Sequence, residues 1–188
     1  TNSFKEARFL RAYFYFNLVR AYGDVPYFTE MVTTDQVNSL TRTPAQEIFN
    51  AIIAECDKLS TELPADYTKL GLDGIAPAEN GRVTCYAALA LKARAALYAA
   101  SLLFNPGNNK DLWRRAAEAN KEVIETCTAN GFKLSKYSEL WGPNNWSNNE
   151  MIFVRRYNGN ISTLEEYNFP MGVPGGNSGN CPTQNMVD

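Results

Sequence analysis

The first strong pattern in the chain is a run of apolar residues at helical spacing near the N-terminus. The apolar positions recur at steps of three and four over more than one face, which predicts a helix from about Phe4 to Tyr22 that is buried on several sides. They are Phe9, Leu10, Tyr13, Phe14, Phe16, Leu18, Val19 and Ala21. Gly23 can adopt a left-handed conformation and Pro26 cannot continue a helix, so the helix is predicted to end there.

A second helix is predicted to begin at a proline-containing cap. Thr43 can accept a hydrogen bond from the amide of Gln46, the Gln46 side chain can reach back, and Pro44 stands where a missing N–H costs nothing. An apolar stripe at steps of three and four follows, and Pro64 ends it. The stripe consists of Ile48, Ile52, Cys56, Leu59 and Leu63.

Two further helices are predicted in the middle of the chain. The third covers about Val83 to Phe104, where a run of alanines allows a neighbouring backbone to approach closely, and Asn105 with the following Pro-Gly closes it. Its larger apolar side chains are Leu89, Leu97 and Leu102. The fourth runs from an Asp111 cap to about Ala129, and Gly131 follows its last turn. Its apolar side contains Leu112, Ala116, Val123, Ile124 and Cys127.

Helices of this length, paired across loops with small residues at the contacts, are typical of tetratricopeptide-like helical hairpins. The pattern changes after Phe132, because Met-Ile-Phe-Val at 151–154 is a short β-type run and residues 170–182 hold too much glycine and proline for regular structure. We therefore predict a mainly α, single-domain chain. It should have a tetratricopeptide-like helical region over residues 1–135 and a loop-rich segment with a short strand over residues 136–188.

The composition removes several classes of function. The net charge of the 188 residues is −2, so there is no basic surface to indicate nucleic acid binding. The chain has no histidine, which excludes histidine general bases and most zinc and iron sites, and no cofactor or metal is expected. Its four cysteines form no CxxC pair, and we expect them to pack in the core, with disulfides as the alternative. They are Cys56, Cys85, Cys127 and Cys181.

The chain contains no apolar run of the length that a membrane-spanning helix needs. Such a helix takes roughly 18 apolar residues, and Lys92 and Arg94 interrupt the alanine-rich segment. The sequence begins at Thr1 instead of a methionine and ends at Asp188, just after Pro182 opens a new helix start. We therefore expect a processed or truncated piece of a longer protein.

Three segments, in order and well separated, resemble the SusD/RagB-type outer-membrane nutrient-binding lipoproteins. They are EARFLRAYFYFNLVRAYGDVPYFTE at 6–30, GRVTCYAALALKARAALYAASLLFN at 81–105 and PTQNMVD at 182–188. The capped helix at 43–63 and the stretch NNEMIFVRRYN at 148–158 extend the resemblance to nearly the whole chain. The resemblance also implies tetratricopeptide-like helix pairs, in agreement with the periodicity.

The resemblance implies a protein on the outer-membrane surface of a Gram-negative bacterium. Such a protein captures oligo- or polysaccharide, or another nutrient, and delivers it to a SusC-like TonB-dependent β-barrel transporter without acting as an enzyme. A signal peptide and a lipidated cysteine would precede Thr1, because all four cysteines lie too deep in the chain to carry the lipid. The alternative is a helical-repeat scaffold that binds another protein and no sugar, and the fold does not choose between the two.

The stretch LWGPNNWSNNE at 140–150 is the candidate ligand site. A flat indole suits the apolar faces of sugar rings and neighbouring amides suit their hydroxyls, so Trp146 is the predicted platform, with local packing or partner contact as its alternatives. The amides are those of Asn144, Asn145 and Asn148, whereas Trp141 is expected to pack in the core.

Two other motifs indicate neither a phosphate-binding loop nor a glycosidase active site. The run GVPGGNSGN at 172–180 lacks the Gly-Lys-Ser/Thr ending of a phosphate loop, so we expect a surface loop, with rim contact to a ligand or transporter as the alternative. Glu165 and Glu166 are adjacent, and adjacent side chains on a strand point to opposite faces, whereas glycosidase carboxylates flank one sugar. No catalytic residue is predicted.

Overall fold

The structure, a computed structural model of the 188-residue chain, describes residues 2–67, 81–140, 148–154, 168–169, 171–172 and 174–179. It separates two compact units, residues 1–154 and residues 155–188. The described residues are mainly α-helical, as the periodicity predicts. The helices are α1 Asn2–Tyr22, α2 Thr34–Val37, α3 Ala45–Glu62, α4 Cys85–Ala100 and α5 Lys110–Ala129, followed by a 3₁₀ turn at Tyr137–Glu139. The division predicted after residue 135 stays a prediction.

The four long helices form two consecutive hairpins. In this arrangement α3 packs against both α1 and α4, and α4 packs against α5. Alanines of α4 are almost completely buried, which confirms that this helix lets its neighbours approach closely. They are Ala87, Ala88, Ala93, Ala95, Ala96, Ala99 and Ala100. The larger buried side chains pack in the same core as these alanines. Phe9, Phe16 and Phe49 are fully buried there.

Several apolar positions that the pattern assigned to buried faces lie on the surface instead. Helix α1 is buried on fewer sides than predicted, because the exposed positions include Leu10, Phe14 and Leu18. Leu97 and Leu102 are 44% and 70% exposed, and Ile124 is 65% exposed. Leu102 comes after α4 has ended, so the helical spacing used to place it no longer applies. On α5 only Ala116, Ala119 and Cys127 are buried, which makes its apolar stripe narrower than predicted.

Glycine ends two of the helices as predicted. Gly23 has φ +70° and its amide donates to the carbonyl of Val19 at 2.9 Å. Gly131 has φ +88°, and the amide of Gly131 donates to Thr128 O at 3.2 Å while that of Phe132 donates to Cys127 O at 3.0 Å. These two bonds are the Schellman pattern, which needs a residue in the left-handed region.

The start of α3 differs from the predicted capping box. Asp24 Oδ1 accepts a hydrogen bond from Ala45 N at 2.8 Å, and the Thr43 side chain caps nothing. The backbone of Thr43 instead pairs with Val25, its N–H donating to Val25 O at 3.0 Å. The Gly-Asp-Val-Pro segment after α1 therefore supplies the cap from 21 residues away.

The side chain of Gln46 is also placed differently, because it reaches across to α4. Its Nε2 donates to Ala99 O at 2.7 Å and to Phe104 O at 2.8 Å. The last carbonyls of a helix have no partner within the helix, and a donor from a neighbouring element satisfies them. The Gln46 side chain therefore bonds these two carbonyls and does not form the predicted capping box with Thr43.

The cap of α5 lies two residues before the predicted Asp111. Asn109 Oδ1 accepts a hydrogen bond from the amide of Asp111 at 2.9 Å, so Asp111 is the second residue of the helix. Asn105, which the sequence placed at the end of the preceding helix, is buried and its Oδ1 accepts from Asn109 N at 2.8 Å. The turn between α4 and α5 is therefore built from asparagine side chains.

The predicted strand at 151–154 is wrong, because residues 152 and 153 form a bend and none of the four residues lies in a strand. A strand needs a second strand to pair with, and the described ranges offer none beside this segment. The segment lies instead on the helices, where Phe153 contacts Phe9 and Tyr13 and Ile152 packs against the core.

The described cysteines are free thiols, in agreement with the predicted core packing. Cys56 and Cys127 are buried and Cys85 is half-buried, whereas Cys181 lies outside the described residues. Burial raises the pKa of the Cys56 thiol to about 12, and the nearby carboxylates of Glu55 and Asp57 act in the same direction. Such thiols stay protonated and unreactive near neutral pH.

In the second unit, the described part of the glycine-rich run forms turns on the surface. The turns lie at residues 171–172 and 174–175. Ser178 N donates to Phe169 O at 2.9 Å, and Ser178 Oγ accepts from Met171 N at 2.8 Å. Glu165, Glu166 and the predicted helix start at Pro182 lie outside the described residues.

Candidate functional site

A groove of about 540 Å³ lies between α1 and α4, and the segment at 150–153 forms its third wall. This volume is within the range of roughly 300 to 1,000 Å³ that is usual for small-ligand pockets. The side chains contributed by α1 are those of Phe9, Tyr13, Phe16, Asn17 and Arg20. The others are Ala87, Ala90, Leu91 and Arg94 from α4, and Glu150, Met151, Ile152 and Phe153 from the third wall.

Helical spacing places these residues on facing sides of the two helices. On α1 the groove positions Phe9, Tyr13, Phe16 and Arg20 are three or four residues apart, and the same holds on α4 for Ala87, Ala90 and Arg94. Side chains three and four apart lie on one face of a helix. The small side chains of Ala87 and Ala90 leave the space that becomes the groove.

Aromatic rings form the apolar part of the groove. Phe9 is buried, and Phe153 meets it edge to face with ring centroids 5.5 Å apart and planes at 78°. Phe153 also meets Tyr13 at 6.4 Å and 75°. Tyr13 and Phe153 are each more than a third exposed, so both rings are accessible at the opening of the groove.

Polar and charged groups share the groove with these rings. The Asn17 amide nitrogen donates to Tyr13 O at 3.0 Å. Glu150 Oε2 accepts from Ser135 N at 2.8 Å, which fixes the carboxylate beside the third wall. The guanidinium carbons of Arg20 and Arg94 lie 6.0 Å and 5.8 Å from the centroid of the Phe16 ring. Hydrogen-bonding groups therefore surround the apolar rings.

Of the predicted ligand residues, the structure describes only Asn148. Its Oδ1 accepts hydrogen bonds from Ser135 Oγ at 2.6 Å and from Glu150 N at 2.9 Å, and its carbonyl accepts from Met151 N at 3.0 Å. Asn148 thereby fastens the beginning of the segment that forms the third wall. Asn144, Asn145, Trp146 and Trp141 lie outside the described residues.

The sequence interpretation missed the groove because it took the aromatics of α1 as packing residues and Asn17 and Arg20 as polar interruptions. The missed signal is that Tyr13, Asn17 and Arg20 share one helical face, where an aromatic residue is followed by two polar residues at steps of four and three. Arg94 could not be connected to this line from the sequence, since only the packing of α4 brings it to Phe16.

A second, smaller cavity of about 190 Å³ adjoins the residues that close the loop before α4. Arg82 pairs with Glu6 through Nε at 2.8 Å, and its guanidinium carbon lies 4.4 Å from the centroid of the Tyr67 ring. Tyr67 OH donates to Val83 O at 2.9 Å, and burial raises the pKa of this phenol. These groups satisfy one another, so the cluster is a structural clamp.

The groove provides binding groups, and its described lining lacks the pair of carboxylates that glycoside hydrolysis uses. Glycoside hydrolysis needs two carboxylates across one sugar, and Glu150 is the only carboxylate among the described residues of the lining. No group of three histidine, cysteine or acidic residues that could hold a metal occurs in the described ranges. None of the described helices is long and apolar enough to cross a bilayer.

Comparison with protein families matches residues 3–97 to the SusD-like family described as "Starch-binding associating with outer membrane". The matched residues include α1, α3 and most of α4, and hence the two helical walls of the groove.

Two curated relatives come from the bacterium Formosa agariphila. SusD-like protein P25 is 24% identical over 149 residues, which are 79% of this chain and 24% of the relative. SusD-like protein P2 is 28% identical over 162 residues, which are 84% of this chain and 28% of the relative. The chain therefore spans about a quarter of the length of these proteins.

Solved structures show the same helical fold. A SusD-like protein from Bacteroides fragilis has a TM-score of 0.72 and 27% identity over 98% of this chain and 34% of its own. A SusD-like carbohydrate-binding protein from the same species has a TM-score of 0.62 and 29% identity, over 81% of this chain and 26% of its own. Surface glycan-binding protein A from Bacteroides uniformis, at 24% identity, has a TM-score of 0.58 over 79% of this chain and 29% of its own and supports the fold alone.

Proposed function

Because the chain belongs to the SusD-like family, we propose that it captures glycan at the bacterial cell surface and delivers it, chemically unchanged, to a TonB-dependent transporter. The family is described as starch-binding and as associating with the outer membrane. Carbohydrate binding at the cell surface is the part of this function that the family supports. Delivery to a SusC-like β-barrel, attachment through a lipid and the absence of catalysis belong to the proposal.

The observation that carries the proposal is the combination of exposed rings and polar groups in the α1–α4 groove. Tyr13 and Phe153 offer ring faces or edges against which the C–H groups of a sugar can pack, and Asn17 and Glu150 lie beside them. Sugars need both contacts, because their hydroxyl groups must keep hydrogen bonds when water is displaced. An interior contact between helices would not need polar groups in this position.

We further propose that the stretch at 140–150 extends this site. Asn148 holds the beginning of the third wall through its hydrogen bonds. Asn144, Asn145 and Trp146 come just before Asn148 in the sequence. If Trp146 is an aromatic platform, Trp146→Ala weakens glycan binding by about 1 kcal/mol or more, as loss of one binding aromatic does. Unchanged affinity would remove Trp146 from the site.

The first test is affinity electrophoresis of the intact protein through native gels that contain a panel of polysaccharides, with a non-binding protein run alongside. Retardation by at least one glycan class supports capture. Tyr13→Ala should then reduce the retardation, with a loss of about 1 kcal/mol in binding free energy. Tyr22→Ala is the matched control, because Tyr22 lies on the same helix, is 74% exposed and does not line the groove.

Two companion assays separate this function from its alternatives. An assay for reducing ends released from the retarded polysaccharide should stay at background, and released ends would mark a hydrolase. Co-purification with a β-barrel transporter tests the delivery step. Absence of retardation by every polysaccharide, together with a stable protein partner, would favour the helical-repeat scaffold that binds protein and no sugar.

A further inference from the structure

Two arginines on different helices line one groove, and each lies over the same buried ring. Arg20 of α1 and Arg94 of α4 are both exposed, and their guanidinium carbons lie 6.0 Å and 5.8 Å from the centroid of the Phe16 ring. The two carbons are therefore no further apart than the sum of these distances. Phe16 itself is 1% exposed, so this ring supports both cations from below the groove surface.

The two guanidinium groups lack an anionic partner among the described residues. Other arginines near these helices are paired, since Arg8 contacts Glu55 at 2.6 Å and Arg82 contacts Glu6 at 2.8 Å. No ion pair or hydrogen bond within the described ranges involves Arg20 or Arg94. Within the described lining, Glu150 is the only carboxylate, and it already accepts a hydrogen bond from Ser135 N.

We propose that the groove selects glycans that carry carboxylate or sulfate groups, with Arg20 and Arg94 as the specificity-determining residues. This inference rests on the proposed function and adds the ligand class to it. A guanidinium presents a planar fork of donors that matches a carboxylate or a sulfate. Both arginines line the same groove, so an anionic group bound there can interact with either guanidinium.

The position of the rings explains how the same groove would hold the sugar itself. Tyr13 and Phe153 lie at the opening, and Arg20 and Arg94 lie along the same groove over Phe16. The cation–π contacts restrain both guanidinium groups before a ligand arrives, which lowers the entropy lost on binding. The geometry therefore favours an acidic sugar unit whose ring contacts the aromatics while its charged group contacts the arginines.

The test compares charged and neutral forms of the same polymers. The probes are polygalacturonate and its fully methyl-esterified form, then a sulfated galactan and its desulfated form, with titration of the intact protein by calorimetry. We expect at least one charged form to bind more tightly than its neutral partner, by about tenfold or more, as charge-assisted hydrogen bonds provide. The pair that shows the difference identifies carboxylate or sulfate as the recognised group.

Variants then assign the difference to the two arginines. Arg20→Gln and Arg94→Gln should each remove most of the preference for the charged form, measured as the ratio of the affinities for the charged and neutral forms of one polymer. Arg20→Lys and Arg94→Lys keep the charge without the fork, and should retain part of the preference. Arg114→Gln is the control, because Arg114 is a 69% exposed arginine of α5 whose ion pairs among the described residues are with Asp111 and Glu118 of the same helix.

The results show whether only the inferred preference for acidic glycans fails or whether glycan capture fails as well. Equal affinity for the charged and neutral forms, or a preference that survives in the double variant Arg20→Gln/Arg94→Gln, overturns the inference and leaves glycan capture standing. Lack of binding to any polysaccharide, neutral or charged, overturns both. Circular dichroism melting of each variant shows that a lost preference is not a lost fold, and the lysine variants keep the test valid if a glutamine variant is unstable.

Discussion

The ring of Phe153 packs edge to face on the ring of Phe9, with centroids 5.5 Å apart and planes at 78°. Phe9 is 2% exposed and belongs to the core, whereas Phe153 comes from the segment that forms the third wall of the groove. This contact, together with the hydrogen bonds of Asn148, attaches that segment to α1. The shape of the groove depends on it.

We expect Phe153→Ala to loosen the third wall without unfolding the helices. Aromatic pairs contribute about 0.5 to 1.5 kcal/mol beyond the area they bury, so local opening of residues 151–154 should become about three- to tenfold more frequent. Hydrogen exchange at the amide of Met151, which donates to Asn148 O, measures this opening. Phe4→Ala, at a 65% exposed position of α1, is the control. Unchanged exchange at Met151 would show that the ring contact does not hold the wall.

We expect Gln46→Met to destabilise the whole helical unit. The substitution keeps the length of the side chain but removes the donor that serves Ala99 O and Phe104 O. Both hydrogen bonds are partly buried, and leaving an acceptor of this kind unpaired costs about 1 kcal/mol, so loss of both should lower the free energy of unfolding by about 2 kcal/mol. Urea denaturation followed by circular dichroism gives this quantity.

The control for Gln46 is its neighbour Glu47, which is exposed and reaches no carbonyl of α4. Glu47→Met should change the free energy of unfolding by less than about 0.5 kcal/mol, the usual effect of a surface substitution. Equal effects of the two substitutions would mean that water replaces the Gln46 hydrogen bonds at no cost.

We expect the stability of the protein to fall above pH 9 in part because of Cys56. Its pKa is about 12 in the folded chain and near 9.0 without the fold, mainly because of burial. Between these values the unfolded chain releases the proton and the folded chain keeps it, so stability decreases as pH rises. The contribution of one such thiol is about 1.4 kcal/mol per pH unit.

Cys56→Val should therefore flatten the dependence of the unfolding free energy on pH between 8 and 10.5, measured by urea denaturation. Other buried groups with raised pKa values, such as Tyr67, still contribute in both proteins, so the difference between the two curves is the relevant quantity. Ile53→Val is the control, because it trims a buried, non-titrating side chain and should shift the curve by a constant amount. Parallel curves for Cys56→Val and the parent would refute the prediction.

An apolar stripe on α1 should make the isolated chain associate or bind a hydrophobic dye. Leu10, Phe14, Leu18 and Tyr22 follow one another at steps of four and are all exposed, with Phe14 at 60%. Exposed apolar residues that form a continuous patch favour association. Size-exclusion chromatography and dye fluorescence of the 188-residue chain measure this behaviour.

The double variant Phe14→Gln/Leu18→Gln should reduce the dye signal, since it interrupts the centre of the stripe. Leu134→Gln is the control, at an 87% exposed position that lies away from α1 in the sequence. A monodisperse, dye-silent monomer of the parent chain would contradict the prediction.

The sequence predicted the number and order of the long helices because periodicity and helix stops are local signals. Gly131 shows this best, since a left-handed residue after the last turn is a property of the chain at that point and the structure has it there. The beginnings of helices were less predictable. Thr43 has the right type for a cap, but Asp24 takes that role from another part of the chain.

The short β-type run illustrates the same limit in another way. Met-Ile-Phe-Val has the composition of a strand, but β structure needs a partner strand, and a helix surface gave Phe153 a place to pack instead. Composition records that a segment is apolar, and the neighbouring elements decide what it packs against.

The sequence by itself determined that the chain is mainly helical, that glycines follow two of its helices and which family it resembles, because each of these depends on residues close together in the chain. Only the tertiary structure decided that Arg94 joins Arg20 over Phe16, and that Phe153 and Glu150 complete a groove with them. These residues are separated by many positions, and no local pattern encodes their distance. The packing of α1, α4 and the 150–153 segment sets that distance, and with it the candidate site.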